Sequence, residues 1–275
     1  GFVMGRIHTA GQIPAAGLDA DIEWTVAGRG GRDYSENELE FWFSPQDRLD
    51  ISLRTPDGTW IGPLRPREFL ENRRLADGSF VSVYNELYHA SNGCNYIGVY
   101  LTPNYKASPM IGVKAGTWVV RLHGREIRNG SYHGWIERDD PRELPGKPGE
   151  PAPLAYPSFF SEKSNVDRSS VSTLACGQRV ISVANLDEHV ERVNVTSSQG
   201  PTRDGRNKPE ISAPGTNVAA ASGFTGSAER WVSMSGTSMA SPYVCGVTAL
   251  MLATNKKLTA AQIGGILQRT AKPLP

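Results

Sequence analysis

The sequence predicts two kinds of structure in succession: an antiparallel all-β sandwich, then an α/β portion that ends in two helices. Three observations carry that reading. Between Asp21 and Asp139, short β-rich runs recur with turn signals between them and no helical pattern interrupting. After a proline-rich tract the pattern changes to a nearly continuous apolar run, Arg179–Asn185, of the kind buried on both faces of a sheet. The chain then closes on two helical patterns, Ser238–Thr254 and Thr259–Thr270.

In chain order, residues 1–20 mix Gly, Ala and Pro around His8 and Ile13 and read as a strand end and a linker. The sandwich occupies 21–139, with strands expected at Asp21–Ala27, Asn37–Phe43, Arg48–Arg54, Ser79–Asn85, Tyr96–Leu101, Gly116–His123 and Tyr132–Arg138. Period-two alternation is clear in Leu49, Ile51, Leu53 and in Trp118, Val120, Leu122. Pro56-Asp57-Gly58, Asp77-Gly78-Ser79 and Asn129-Gly130-Ser131 supply turns. The arginine-rich run from Arg65 to Arg74 reads as a solvated loop face. Residues 140–158 are a proline-rich linker, and 159–275 form the α/β portion. Ala240, Val244, Val247, Leu250, Met251 and Leu252 make the first helix apolar all round, which predicts a buried helix. Pro242 is expected in its first turn, and Gly246 and Ala249 where a neighbouring sheet approaches closely. Thr259 is the expected N-cap of the second helix.

Composition excludes several classes of function. Lys+Arg 29 against Asp+Glu 28 leaves a formal charge of +1, so nucleic acid and membrane surfaces are not expected partners. Hydrophobic residues at 39% and charged residues at 21% suit a folded globular chain. No stretch is long and apolar enough to span a bilayer; Met239–Ala253 is interrupted by Ser241, Pro242 and Thr248. The 3 cysteines, Cys94, Cys176 and Cys245, stand alone without CxxC spacing, so no zinc site or disulfide framework is indicated. No calcium-loop pattern occurs, and no metal or other cofactor is expected.

The segment Gly236-Thr237-Ser238-Met239-Ala240-Ser241-Pro242 carries the chemistry. A Gly/Thr/Ser turn opening an apolar helix places Ser238 where unpaired N–H groups and the positive end of the helix dipole converge. That environment stabilises an oxyanion forming beside the serine oxygen. For an isolated G-T-S, an N-cap role for Thr237 or Ser238 is the plainer explanation. Here the whole string resembles the G-T-S-M-A-x-P signature around the nucleophile of subtilisin-like serine peptidases. Ser197-Ser198-Gln199-Gly200 and Lys208-Pro209-Glu210-Ile211-Ser212-Ala213-Pro214-Gly215 resemble that family's S-S-x-G and K-P-[DE]-[IV]-x-A-P-G segments, in order. The resemblance implies a serine endopeptidase, with Ser238 as nucleophile forming an acyl-enzyme. Thr237 and Gly236 would support the oxyanion turn, and Met239 would be an oxidation-sensitive neighbour. It implies a subtilisin-like parallel sheet for the α/β portion, protein or peptide substrates, and an extracellular or cell-envelope location. It also makes the sandwich a jelly-roll-like insert of the kind found in clostridial spore-germination subtilases.

A serine hydroxyl needs a base. The family's D-[ST]-G and H-G-T-x-V-A-G motifs and its G-N-x-G asparagine do not occur here, and none of the 5 histidines (His8, His89, His123, His133, His189) has matching surroundings. All three elements are expected upstream of Gly1, so a preceding segment or an identical chain is the expected completing partner. The alternative is a non-catalytic pseudo-protease or scaffold whose sandwich binds a partner or a glycan.

Overall fold

The computed structural model describes residues 6–138, 158–223 and 230–274. The chain divides into two compact units, one ending at Asp167 and the other beginning at Arg168.

The first unit is built from two antiparallel sheets. One is six-stranded, in the order His8–Gln12, Ser131–Arg138, Asn37–Phe43, Asn95–Thr102, Phe80–Glu86, Phe69–Arg74. The other is five-stranded, in the order Phe159–Phe160, Asp19–Val26, Gly116–Glu126, Arg48–Arg54, Trp60–Leu64. Alternation puts one face of each strand inward: Leu39, Phe41 and Phe43 from the first sheet meet Trp24, Leu53, Trp118 and Val120 from the second in a single apolar cluster. Trp24 and Trp118 are cross-strand partners and both 0% exposed, so truncating either costs about 3–5 kcal/mol.

Asn37–Phe43 and Arg48–Arg54 fall at their expected bounds, and the other five expected strands occur within a few residues of theirs. The departures share one cause, which is that edge strands are paired by backbone rather than by an apolar face. His8–Gln12, within the stretch expected to be a strand end and a linker, pairs with Ser131–Arg138 at the edge of the six-stranded sheet. Phe69–Arg74, expected within a loop, pairs with Phe80–Glu86 around a bulge between Leu70 and Arg73, its side chains largely exposed. Phe159–Phe160 pairs with Asp19–Val26. The sandwich unit therefore takes in strands on either side of 21–139. The proline-rich tract lies, except for Ser158, outside the described residues.

In the second unit Val183–Asp187 lies between a parallel neighbour, Ile211–Pro214, and a short antiparallel one, Arg192–Val193. Val218–Ala221 pairs with Trp231–Met234. Two helices follow, α1 (Thr237–Thr254) and α2 (Ala260–Thr270). Thr259 caps α2 in a capping box: its hydroxyl accepts from Gln262 N, and Gln262 Oε1 accepts from Thr259 N at 2.9 Å.

Three expectations for this unit are corrected. The apolar run yields a strand only from Val183, because Arg179 and Val180 are exposed. Helix α1 is not buried all round. Ala240 and Val244 pack with Ala213, Ile263 and Leu267, whereas Tyr243 is 56% and Leu250 71% exposed. The described residues supply apolar partners to one side of the helix, and none of their atoms beyond the helix's own backbone lies within 4 Å of a Cβ built at Gly246. Pro242 sits in the second turn, because the helix starts at Thr237. The missing N–H therefore leaves the Ser238 carbonyl without its i+4 donor.

A buried carboxylate fixes one hairpin of the sandwich. Asp47, 1% exposed, accepts from Arg128 N at 2.6 Å and Asn129 N at 2.9 Å through Oδ1, and from Gly130 N at 2.8 Å through Oδ2. Asp47→Ala would strand three amides and is expected to destabilise the unit by about 3 kcal/mol, with Asp47→Asn intermediate, as read by urea unfolding.

Candidate active site

The geometry around Ser238 begins at the strand Ile211–Pro214. It delivers Gly215, whose N–H donates to Leu186 O at 3.1 Å and whose carbonyl accepts from Gly236 N at 2.7 Å. A Cβ at Gly215 would stand 2.6 Å from Asn185 Oδ1, 2.8 Å from Gly236 O and 2.9 Å from Ala240 Cβ. Only glycine lets strand and helix start approach this closely. Gly236 itself has φ +152°, which side chains resist, and it is the N-cap of α1. Asn217 N donates to Ser235 Oγ at 2.8 Å, tying the turn to the hairpin before it.

With glycine at the N-cap, no side chain caps α1. Neither Thr237 nor Ser238 is the N-cap, so the plainer explanation of the G-T-S turn does not hold. Met239 N and Ala240 N turn back to Gly236 O at 3.0 and 3.3 Å. The N–H groups of Thr237 and Ser238 have no acceptor among the described residues, nor has the Ser238 hydroxyl a hydrogen-bond partner there. Thr237 and Ser238 are exposed and Met239 is half-buried. The first turn carries no acidic residue to neutralise the dipole. The arrangement is an exposed hydroxyl beside two open amide donors at the positive end of an 18-residue helix, suited to stabilising negative charge on a bound carbonyl oxygen.

The two upstream segments singled out in the sequence are brought to the strand pair beneath this turn. Ser197 Oγ accepts from Asn185 N at 3.1 Å. Asn185 is fully buried, its Oδ1 accepts from Thr216 Oγ1 at 3.1 Å, and Thr216 Oγ1 accepts from Asn194 Nδ2 at 3.1 Å. Sequence reading did not find Asn185, Asn194 and Thr216; Asn185 merely ended an apolar run, and no local signal marked it. Lys208, its side chain 3% exposed, donates to Val180 O at 2.5 Å and Gly177 O at 3.2 Å and pairs with Glu210 Oε1 at 2.5 Å. Glu210 Oε2 accepts from Ser182 N at 2.8 Å and Ser182 Oγ at 2.7 Å. Burial pushes the Glu210 carboxyl up, but the bonds from Lys208 and Ser182 outweigh it and hold the group below its ordinary range.

Among the described residues of its own unit, no side chain is hydrogen-bonded to Ser238 to serve as a base. His189 is the only histidine there; it is exposed, and its ring makes no hydrogen bond to Ser238 among the described residues. His8, His89, His123 and His133 belong to the sandwich unit. Among the described residues no group of His, Cys, Asp and Glu is arranged to hold a metal ion.

Residues 153–274 match the profile of the subtilase family, Peptidase_S8. The chain is 32% identical over 123 residues to the serine protease AprX of Bacillus subtilis, spanning 38% of this chain and 27% of that protein. It is 40% identical over 107 residues to a thermostable alkaline protease of Halalkalibacterium halodurans, spanning 39% and 27%. The fold is similar to that of the Clostridium perfringens CspB protease, with a TM-score of 0.71 and 19% identity across 98% of this chain and 52% of that one. The chain thus spans about a quarter of the length of these curated relatives and about half of the CspB chain.

Because the Glu210 carboxyl is lowered in the folded chain, the stability it contributes is complete above its unfolded value near 4.5 and is lost as pH falls through the depressed folded value. Thermal melts from about pH 7 to about pH 3 are expected to show a flatter acid limb for Glu210→Gln than for the wild type. Lys208→Met, which leaves the buried carboxylate unpaired, is expected to lower Tm most at neutral pH.

Proposed function

We propose that the chain, whose residues 153–274 match the profile of the subtilase family, carries the nucleophile of a serine endopeptidase acting on protein or peptide substrates. The observation that carries the reading is Ser238 itself: exposed, uncapped, and next to two amide donors that point away from the helix they open. In the proposed reaction Ser238 Oγ attacks the scissile carbonyl. The Ser238 N–H, with the Thr237 hydroxyl beside it, receives the oxyanion; collapse breaks the C–N bond, the amine leaves with the proton that the base took from Ser238, and water then hydrolyses the acyl-enzyme. Gly236 keeps the turn free of a side chain, and Met239, the adjacent thioether, is the residue whose oxidation would block the site.

The base that takes the Ser238 proton, its orienting aspartate and the oxyanion asparagine are supplied by a segment outside residues 1–275 or by a second polypeptide. The exposed side of α1, with Tyr243 and Leu250, supports such a completing partner, since it offers apolar side chains for another segment to cover. In this reading the parallel pair Val183–Asp187 and Ile211–Pro214 is part of a subtilisin-like parallel sheet. The two-sheet unit is a jelly-roll-like insert in it. The site of action is extracellular or in the cell envelope.

A fluorophosphonate probe with intact-mass readout tests this. The chain produced together with a segment bearing D-[ST]-G and H-G-T-H motifs is expected to label stoichiometrically. Labelling should vanish in Ser238→Ala, persist in Ser241→Ala and fall after peroxide treatment that oxidises Met239. Labelling that survives Ser238→Ala, or none at all in the folded pair, would overturn the assignment.

A further inference from the structure

Asn185 stands in an apolar setting that does not account for it. Its partner across the parallel strand pair, Ala213, packs against Ala240 and Val244 in the first turns of α1. Asn185 itself is 0% exposed. Its Nδ2 is buried with no acceptor among the described residues. A leucine of similar shape would bring no such orphaned donor, so stability does not explain the amide. A buried polar group left partly unsatisfied asks for another explanation.

The hydrogen-bond chain fixes which end of the amide does what. Thr196 N and Thr196 Oγ1 donate to Asn194 Oδ1 at 3.0 and 2.7 Å, so the other end of Asn194 is its donor. That Nδ2 donates to Thr216 Oγ1 at 3.1 Å, which leaves the Thr216 hydroxyl hydrogen for Asn185 Oδ1, also at 3.1 Å. Thr216 is thereby held from both sides. Its N shares a peptide plane with the Gly215 carbonyl, so holding Thr216 sets the direction of Gly215 O. Asn185 Oδ1 also lies against Gly215 itself, 2.6 Å from the position of a Cβ there. Gly215 O accepts from Gly236 N at 2.7 Å. Gly236 is the N-cap of α1, and the peptide units that follow it carry the open N–H groups of Thr237 and Ser238.

We propose that Asn185 is a positioning residue for the Ser238 N–H. Through Thr216 and Gly215 it sets the aim of the amide that receives the oxyanion, and it does not touch substrate. The inference rests on the assignment of Ser238 as nucleophile. A misdirected donor loses stabilisation of charge that exists only in the transition state, whereas ground-state binding of the substrate changes little.

The test measures steady-state cleavage of a chromogenic peptide amide by the full chain produced with the completing segment. Asn185→Leu is expected to lower kcat about tenfold at unchanged KM. Its Tm is expected to equal or exceed that of the wild type, because the orphaned donor is gone. Thr216→Val should lower kcat in the same way, whereas Thr216→Ser, which keeps the hydroxyl, should retain it. That pair decides the matter if Asn185→Leu fails to fold. Unchanged kcat in folded Asn185→Leu, or equal kcat in Thr216→Val and Thr216→Ser, would overturn the proposal. So would a loss that lies in KM alone. A wild type without activity, or activity that survives Ser238→Ala, would instead remove the assignment of Ser238, and this inference with it.

Discussion

The chemistry assigned to Ser238 depends on a contact that has no room for a side chain. Gly215 leaves the parallel strand pair and touches Asn185, Gly236 and Ala240 at distances that exclude a Cβ, and Gly236 continues at φ +152°. A serine, threonine or aspartate at that N-cap would satisfy one of the first amides of α1, as it does in most helices. Glycine satisfies none. The two leading N–H groups and the dipole of the helix stay directed at the solvent in front of Ser238. The turn gives up a side-chain cap and leaves these donors open.

Such a site must be held by something stiffer than itself. Beneath the turn, Asn185, Thr216, Asn194 and Ser197 form a chain of side-chain hydrogen bonds through the strand pair. Lys208 and Glu210 clamp the approach to the same strands from one end. A buried ion pair is weak evidence for stability on its own account. Here each partner also bonds backbone, Lys208 to two carbonyls and Glu210 to the Ser182 amide, so the pair fixes chain positions as much as it neutralises charge.

The two-sheet unit has its own core and its own logic. Inward faces are closed by tryptophan and phenylalanine packing, and a buried aspartate holds a hairpin by its amides. Its outer faces differ in chemistry. On the five-stranded sheet Arg121 pairs bidentately with Asp21 at 2.7 Å and lies over the Trp60 ring at 4.8 Å, so charge is answered by charge. On the six-stranded sheet the outer face is aromatic, with the Tyr96 and Tyr100 hydroxyls meeting at 3.0 Å and Phe69 stacked on Tyr84.

Strands that bury one face were legible in the sequence, because period-two alternation is imposed locally: Asn37–Phe43 and Arg48–Arg54 were read at their bounds. So were Thr259 as a cap and the string around Ser238, where neighbouring residues carry the signal. Edge strands such as His8–Gln12 and Phe69–Arg74 were not, since backbone pairing alone holds them and leaves no apolar pattern. An apolar helix predicts burial, but whether α1 is covered depends on which surfaces other chain segments bring to it. The sequence by itself determined the residue types and spacing of the turn from Gly236 to Pro242. Only the tertiary structure decided that glycine, not Thr237 or Ser238, caps the helix, and that Asn185 and Thr216 lie beneath it, because those relations join residues far apart in the chain through contacts that local pattern does not encode.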